Sequence, residues 1–295
     1  MNSVMTPTRC LRPLAFRRAL ALAAALACAA PAVLAQTPAA QIPAAPDAAA
    51  SAPEAPLRGR VDLGLSGARL TAGESNWFDQ YARGFVVVKP GTTVNWDLNH
   101  ERHFGERGTV GALALTQDLS PRWYALAGMS FGSASFQAKR RVDLGLYRKW
   151  GADQRWVTGL VYMNSRSNDD IHRDQGLTAS LAYHAPRNWV AEGGLVFNRS
   201  NPGSVTGTRG FVALTQGREK SHYLVLRLDH GKEAYLPEAA LQSPSQGNVA
   251  FNSTEATLQW RQWVGPRWGY TASVQHYRNP YYRRHGIAMG LFFDF

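Results

Sequence analysis

From Arg60 to the C-terminus the chain alternates apolar and polar side chains with a period of two. Val61, Leu63 and Leu65 are interleaved with Arg60, Asp62, Gly64 and Ser66, and Val142, Leu144 and Leu146 with Arg141, Asp143, Gly145 and Tyr147. Trp268, Tyr270, Ala272 and Val274 alternate with Gly269, Thr271, Ser273 and Gln275. At the end, Ile287, Met289, Leu291, Phe293 and Phe295 alternate with Ala288, Gly290, Phe292 and Asp294. This is the period of an extended strand whose two faces meet different surroundings.

Alternation alone fits a soluble sandwich as well as a membrane barrel, and three features favour the barrel. The runs at 138–149, 155–165, 173–184 and 221–231 are about 10 to 12 residues long. A tilted strand needs roughly 9–11 residues to cross a bilayer, whereas ordinary strands have a mode of about 5–6. Secondly, the pattern predicts strands near 59–69, 79–88, 91–102, 107–117, 122–133, 138–149, 155–165, 173–184, 188–198, 207–216, 221–231, 253–263, 267–277 and 285–295. Every second connection between them is tight, and the others are mostly longer and more polar, the longest over 232–252. That asymmetry belongs to outer-membrane barrels. An even count puts both ends on the short-turn side.

Thirdly, "SPRW" (120–123), "APRNW" (185–189) and "GPRW" (265–268) place a Trp just after a Pro-Arg turn, and Trp156 follows "GADQR". Indole favours the boundary between lipid and water, so Trp123, Trp156, Trp189 and Trp268 mark the periplasmic rim. The prediction is an all-β, transmembrane, antiparallel up-and-down barrel of about 14 strands over residues 58–295. The pattern over 79–102 is the weakest, and dividing it differently gives 12 or 16.

The first 35 residues differ in kind. Arg9, Arg12, Arg17 and Arg18 precede an apolar run, Ala19 to Ala30, and "AVLAQ" offers cleavage after Ala35. This is the pattern of a secretory signal peptide. Both cysteines, Cys10 and Cys28, lie within it, so the exported chain carries no disulfide. Residues 36–57 are an Ala/Pro tract without the large apolar side chains a core needs, and are expected to be a disordered periplasmic linker. Removing residues 1–35 leaves 28 basic against 21 acidic side chains in place of 32 against 21, so the formal charge falls from +11 to +7. In that compartment the polyanions on offer are phosphorylated lipids and polysaccharides, and nucleic acid is not expected as a partner.

The chain ends "MGLFFDF". Gly290, Phe293 and Phe295 match the C-terminal pattern through which barrel-assembly machinery recognises such proteins, although Met289 stands where a polar residue is usual. The stretch "RRVDLGLYRKWGADQRWVTGLVYMNSRSNDDIHRDQGLTASLAYHAPRNWVAEGGLVF" (140–197) resembles the YaiO family of outer-membrane β-barrels, and the likeness extends over most of 59–295. The resemblance implies the outer membrane of a Gram-negative bacterium. It also implies an association with envelope or exopolysaccharide systems, with no defined activity.

Chemistry is sparse. Outer-membrane lipid hydrolases of the phospholipase and lipid A deacylase types share a His-x-Ser motif, and none of the eight histidines here begins one. Asp169, Asp170, His172 and Asp174 cluster in "NDDIHRDQG", but their spacing fits no metal loop and a solvated turn is expected. No catalytic residue, metal or cofactor is assigned. Arg141, Asp143, Arg227, Asp229, Glu255 and Arg261 alternate with apolar neighbours and so are expected to line the lumen, since an Arg at the lipid mid-plane costs about 2–4 kcal/mol. Arg278, Tyr281, Tyr282, Arg283 and Arg284, in "YRNPYYRRHG", are candidates to meet lipopolysaccharide phosphates and sugars. A passive conduit or envelope component for a hydrophilic or oligosaccharide solute is the first functional expectation. A barrel-wall enzyme acting on lipid or glycan, and a structural lipopolysaccharide-binding barrel, are the alternatives.

Overall fold

A computed structural model describes residues 58–235 and 249–295. The expected signal peptide, the expected linker and the middle of the 232–252 connection lie outside the described residues. Fourteen strands follow one another among those described, from β1 (Arg58–Leu70), β2 (Trp77–Lys89), β3 (Thr92–His103) and β4 (Glu106–Ser120) to β5 (Trp123–Gly132), β6 (Ala138–Trp150) and β7 (Trp156–Ser167). The second half comprises β8 (Arg173–Ala185), β9 (Trp189–Asn201), β10 (Val205–Arg218), β11 (His222–Tyr235), β12 (Val249–Trp263), β13 (Trp268–Arg278) and β14 (Arg283–Asp294).

Each strand pairs antiparallel with its neighbours, and β1 pairs with β14 from Arg60↔Asp294 to Leu70↔Arg284. The barrel is closed, so no strand leaves a row of unpaired N–H and C=O groups in the lipid. The hairpin over 79–102 forms as one pair, β2 with β3, with a bulge between Val87 and Lys89.

The period-two pattern sorts directly into two walls. Leu63, Leu65, Leu113, Leu144, Leu195, Val212, Leu291 and Phe293 all point outward and are exposed on the barrel's exterior, the face that lipid covers. Their alternates point into the barrel. Trp123, Trp156, Trp189 and Trp268 each open a strand at the end that carries the short turns, exposed beside the lipid face.

Among the outward connections the shortest described is that from β3 to β4, through Phe104 and Gly105 alone, with φ of 50° and 87°. Strands run to 10–15 residues. The polar positions at their outer ends, judged to be loop from composition, keep their ladder hydrogen bonds, so the wall rises beyond its apolar zone.

Candidate functional site

The inward faces of fourteen strands form the interior, and its side chains fall into two unlike walls. One runs through β12, β13, β14, β1, β2 and β3. At its periplasmic end Arg60 donates from Nε to the Asp294 Oδ1 at 2.6 Å, and its guanidinium lies over the rings of Trp263 and Phe292 at 4.8 and 5.0 Å. Asp294 also accepts from Lys220 Nζ at 2.5 Å and Trp263 Nε1 at 2.9 Å. These contacts tie the closing seam to the β10–β11 turn. One layer further in, Arg261 pairs with Asp62 at 2.7 Å.

Towards the outer end of the same wall, Arg284 is completely buried between Trp77 and Tyr277, 4.9 and 4.7 Å from their ring centres. It donates to Gln275 Oε1 at 3.1 Å, while Glu255 stands 4.0 Å away. Glu255 also accepts from Gln275 Nε2 at 2.5 Å and from Arg209 Nη2 at 3.1 Å, and Arg209 reaches Glu233 at 2.9 Å. Beside this network Asp79 binds His103 Nε2 at 2.8 Å and the Ser66 hydroxyl at 2.9 Å. His103 stacks on Trp77 at 4.1 Å.

The other wall, from β4 to β9, is built at mid-height from small side chains. Ala112, Ala114, Gly128, Ser130, Thr178 and Ser180 face inward and remain partly accessible to water. Within this wall, on β6, Arg141 binds Asp143 at 2.8 and 2.7 Å, and on β11, between the two walls, Arg227 binds Asp229 at 2.8 Å through both Nε and Nη2. Residues two apart share a face, so each strand carries its own bidentate pair. The result is an interior with one packed, charged wall and one lower wall.

A family model for the YaiO membrane beta barrel domain matches residues 58–236. The chain belongs to the YaiO membrane beta barrel family. Among solved structures, this YaiO barrel is similar to a loop L8 deletion mutant of OmpT, an outer membrane protein of Vibrio cholerae, at 7% identity and a TM-score of 0.47, covering 81% of this chain and 98% of that one. It is similar to an anion-selective porin from Comamonas acidovorans at 9% identity and a TM-score of 0.45, covering 81% and 98%. It is also similar to a bacterial polysaccharide outer membrane secretin, at 9% identity and a TM-score of 0.47, covering 81% and 97%. A comparison with curated proteins returns no match.

In this YaiO barrel Arg141, Asp143, Arg227, Asp229, Glu255 and Arg261 all stand on the inward face. The candidates around 277–286 separate. Arg278 and Arg283 are exposed and point outward, and Tyr281 is half-buried against Phe251. Arg284 and Tyr282 were expected to reach lipopolysaccharide, and the structure turns both inward. The reason is the same period of two: Arg278↔Arg283 and Tyr277↔Arg284 are successive rungs, so they face opposite ways.

The Asp169 cluster is a turn. Asp169 accepts from the backbone N–H groups of Ile171 and His172 at 2.9 Å each and from the His172 ring. Burial alone raises its carboxyl, but these hydrogen bonds outweigh it and hold the group below its usual value. Asp170 is held low by Lys139, with Arg166 beside it. Asp174 faces the interior and hydrogen-bonds Ser200.

Sequence reasoning did not assign Asp79, His103, Arg209, Glu233 or the Arg60–Asp294 pair. The signal was present for Asp79, Arg209, Arg60 and Asp294, which lie within predicted strands, whereas Glu233 fell in the predicted 232–252 connection and His103 just past the predicted end of its strand. Ser66, Asp79 and His103 also bring a hydroxyl, a carboxylate and an imidazole together. Their order does not make a nucleophile, since the Ser66 hydroxyl bonds the carboxylate and not the imidazole.

Proposed function

We propose that this YaiO barrel is a passive conduit for small hydrophilic, oligosaccharide-like solutes across the outer membrane. The observation that carries the proposal is the low wall. Fourteen strands enclose more width than the roughly eight whose side chains fill a barrel, and 16–18 leave an aqueous channel. Along β4 to β9 the small inward residues Ala112, Ala114, Gly128, Ser130, Thr178 and Ser180 are interrupted by the Arg141–Asp143 pair on β6, and water reaches them. Arg141, Arg227 and Arg261 are paired with Asp143, Asp229 and Asp62, while Glu192 on β9 faces the interior without a salt bridge among the described residues, so a solute crosses beside hydrogen-bonding groups and few bare charges. Paired carboxylates and guanidinium forks with spare lone pairs and N–H groups suit hydroxyl-rich solutes.

Liposome swelling tests this. Refolded barrel in vesicles is expected to admit monosaccharides and disaccharides faster than protein-free vesicles do, with the rate falling as the sugar grows. Swelling no faster than in protein-free vesicles, from barrels shown to be folded, would contradict the proposal.

A further inference from the structure

At the last outward rung of three hairpins, arginine stands opposite arginine: Arg102↔Arg107 on β3–β4, Arg166↔Arg173 on β7–β8, and Arg278↔Arg283 on β13–β14. Side chains directly opposite on adjacent strands have Cβ atoms about 4.5–5.5 Å apart, and like charges so placed are destabilising. An anion held between the two guanidinium groups would relieve that repulsion. On β7–β8 the chain supplies part of it, since Asp170 lies 3.1 Å from Arg166. On β3–β4 it supplies none. Neither Arg102 nor Arg107 has an ion-pair partner among the described residues. The acids beside them in sequence face inward or are occupied: Glu101 accepts from Gln137 at 3.0 Å, and Glu106 holds the backbone N–H of Ser135 at 3.0 Å together with its hydroxyl.

The surroundings of this rung are graded. Arg102 and Arg107 line a cleft of about 430 Å³ with Ser75, Asn76 and Gly105. The rung below is His100 opposite Thr109, hydrogen-bonded at 3.1 Å, with Gln80 adjacent. Below it Leu98 stands opposite Gly111, and then Trp96 opposite Leu113. Gly111 has no heavy atom within 4 Å of the place its Cβ would occupy, so the wall has a shallow trough between apolar side chains. Successive outward rungs are about 7 Å apart along the strand, at roughly 3.4 Å per residue. From water inward the wall therefore offers hydroxyl and amide, paired guanidinium, neutral hydrogen-bonding groups, and finally an apolar trough. A phosphorylated glycolipid presents sugar, phosphate, ester or amide linkages and acyl chains in the same order.

We infer that Arg102 and Arg107 form a binding site for a phosphate monoester of an outer-leaflet glycolipid, with its acyl chain in the trough at Gly111. Two guanidinium forks match the several oxygens of one phosphate bidentately. The site is on the lipid face and is independent of whether the lumen conducts.

Native mass spectra of the detergent-solubilised full barrel, titrated with bisphosphorylated lipid A, test the inference. The wild type is expected to bind it, and R102Q/R107Q to bind roughly tenfold or more weakly, as follows from losing charge-assisted hydrogen bonds. R122Q/R187Q makes the same charge change at the periplasmic turns and is expected to bind as the wild type. Folding of each variant is verified by heat-modifiable gel mobility. If R102Q/R107Q does not fold, R102K/R107K, which keeps the charge but not the fork, is expected to show a smaller loss. Equal binding by wild type and R102Q/R107Q, or equal binding of dephosphorylated lipid A, would overturn the site. So would equal binding of phosphatidylglycerol, which would make it a general anionic-headgroup contact. Release of lipid A by millimolar inorganic phosphate would assign the rung to a free anion and also overturn it.

Discussion

The hydroxyl of Tyr81 occupies the space that a side chain on Gly290 would need: a Cβ there would stand 2.6 Å from it. The same ring lies over Gly64, whose Cβ would come within 2.3 Å. Gly64 and Gly290 are cross-strand partners on β1 and β14, so one ring from β2 is laid across the seam that closes the barrel. Phe292 over Gly269, Phe211 over Gly194 and Tyr147 over Gly159 repeat the device, each with a ring atom 2.6 Å from the place of the missing Cβ. Inward aromatics thus lie flat along the wall instead of crossing the lumen.

Gly290→Ala would also bring a Cβ within 2.7 Å of the Leu63 carbonyl oxygen, which a side-chain rotation cannot relieve. Overpacking of this kind costs about 1–3 kcal/mol. Urea titration followed by gel mobility should show an earlier midpoint for Gly290→Ala. Gly210→Ala, where the nearest atom is 3.6 Å away, should behave as the wild type. An unchanged Gly290→Ala would mean that the ring does not brace the seam.

These relationships mark what the sequence made legible. The phase of each strand could be set from its Leu and Val positions, and with it the inward placement of Arg141, Asp143, Arg227 and Asp229. The boundary of β13 and β14 could not. "YRNPYYRRHG" has the composition of a loop, and only the register Tyr277↔Arg284 shows that the turn is Asn279–Tyr282 and that Arg284 is inside. Partners such as Asp62 and Arg261, or Asp79 and His103, join strands whose shear is fixed by closure, and one strand's periodicity does not encode that. The basic rungs went unassigned for a related reason: Arg102 and Arg107 fall at the ends of the predicted strands 91–102 and 107–117, and only the register sets them opposite one another.

Arg284 should be structural. Its Nε and Nη1 have no hydrogen-bond partner, yet it fills the space between Trp77 and Tyr277. Arg284→Ala would leave a void and remove a cation beside Glu255, at a cost on the order of 3 kcal/mol. Arg284→Met keeps most of the volume without the charge and is expected to cost less than half as much. Unfolding midpoints of the two variants check this, and a loss for Met equal to that for Ala would show that the charge matters more than the packing.

The rim tryptophans predict a depth profile. Quenching of intrinsic fluorescence by brominated lipids should be stronger when bromine sits near the headgroup than near the bilayer centre. Replacing Trp123, Trp156, Trp189 and Trp268 together by Phe should remove much of that shallow component. Dominant deep quenching lost with these four would place the rim elsewhere.

Lumenal charge should tune selectivity according to its access to water. The Arg227 side chain is 29% exposed and that of Arg261 11%. Arg227→Glu is therefore expected to shift the reversal potential in a salt gradient towards cations, and Arg261→Gln to act mainly on stability. A larger selectivity shift from Arg261→Gln than from Arg227→Glu would contradict this order.

Single-channel recording of the refolded barrel in a planar bilayer, across salt and voltage, tests the open lumen most directly. Stable ohmic steps are expected, with a smaller step for Ala114→Trp, which raises the low wall. Folded, inserted barrels that give no steps would show that the lumen is closed and contradict the account.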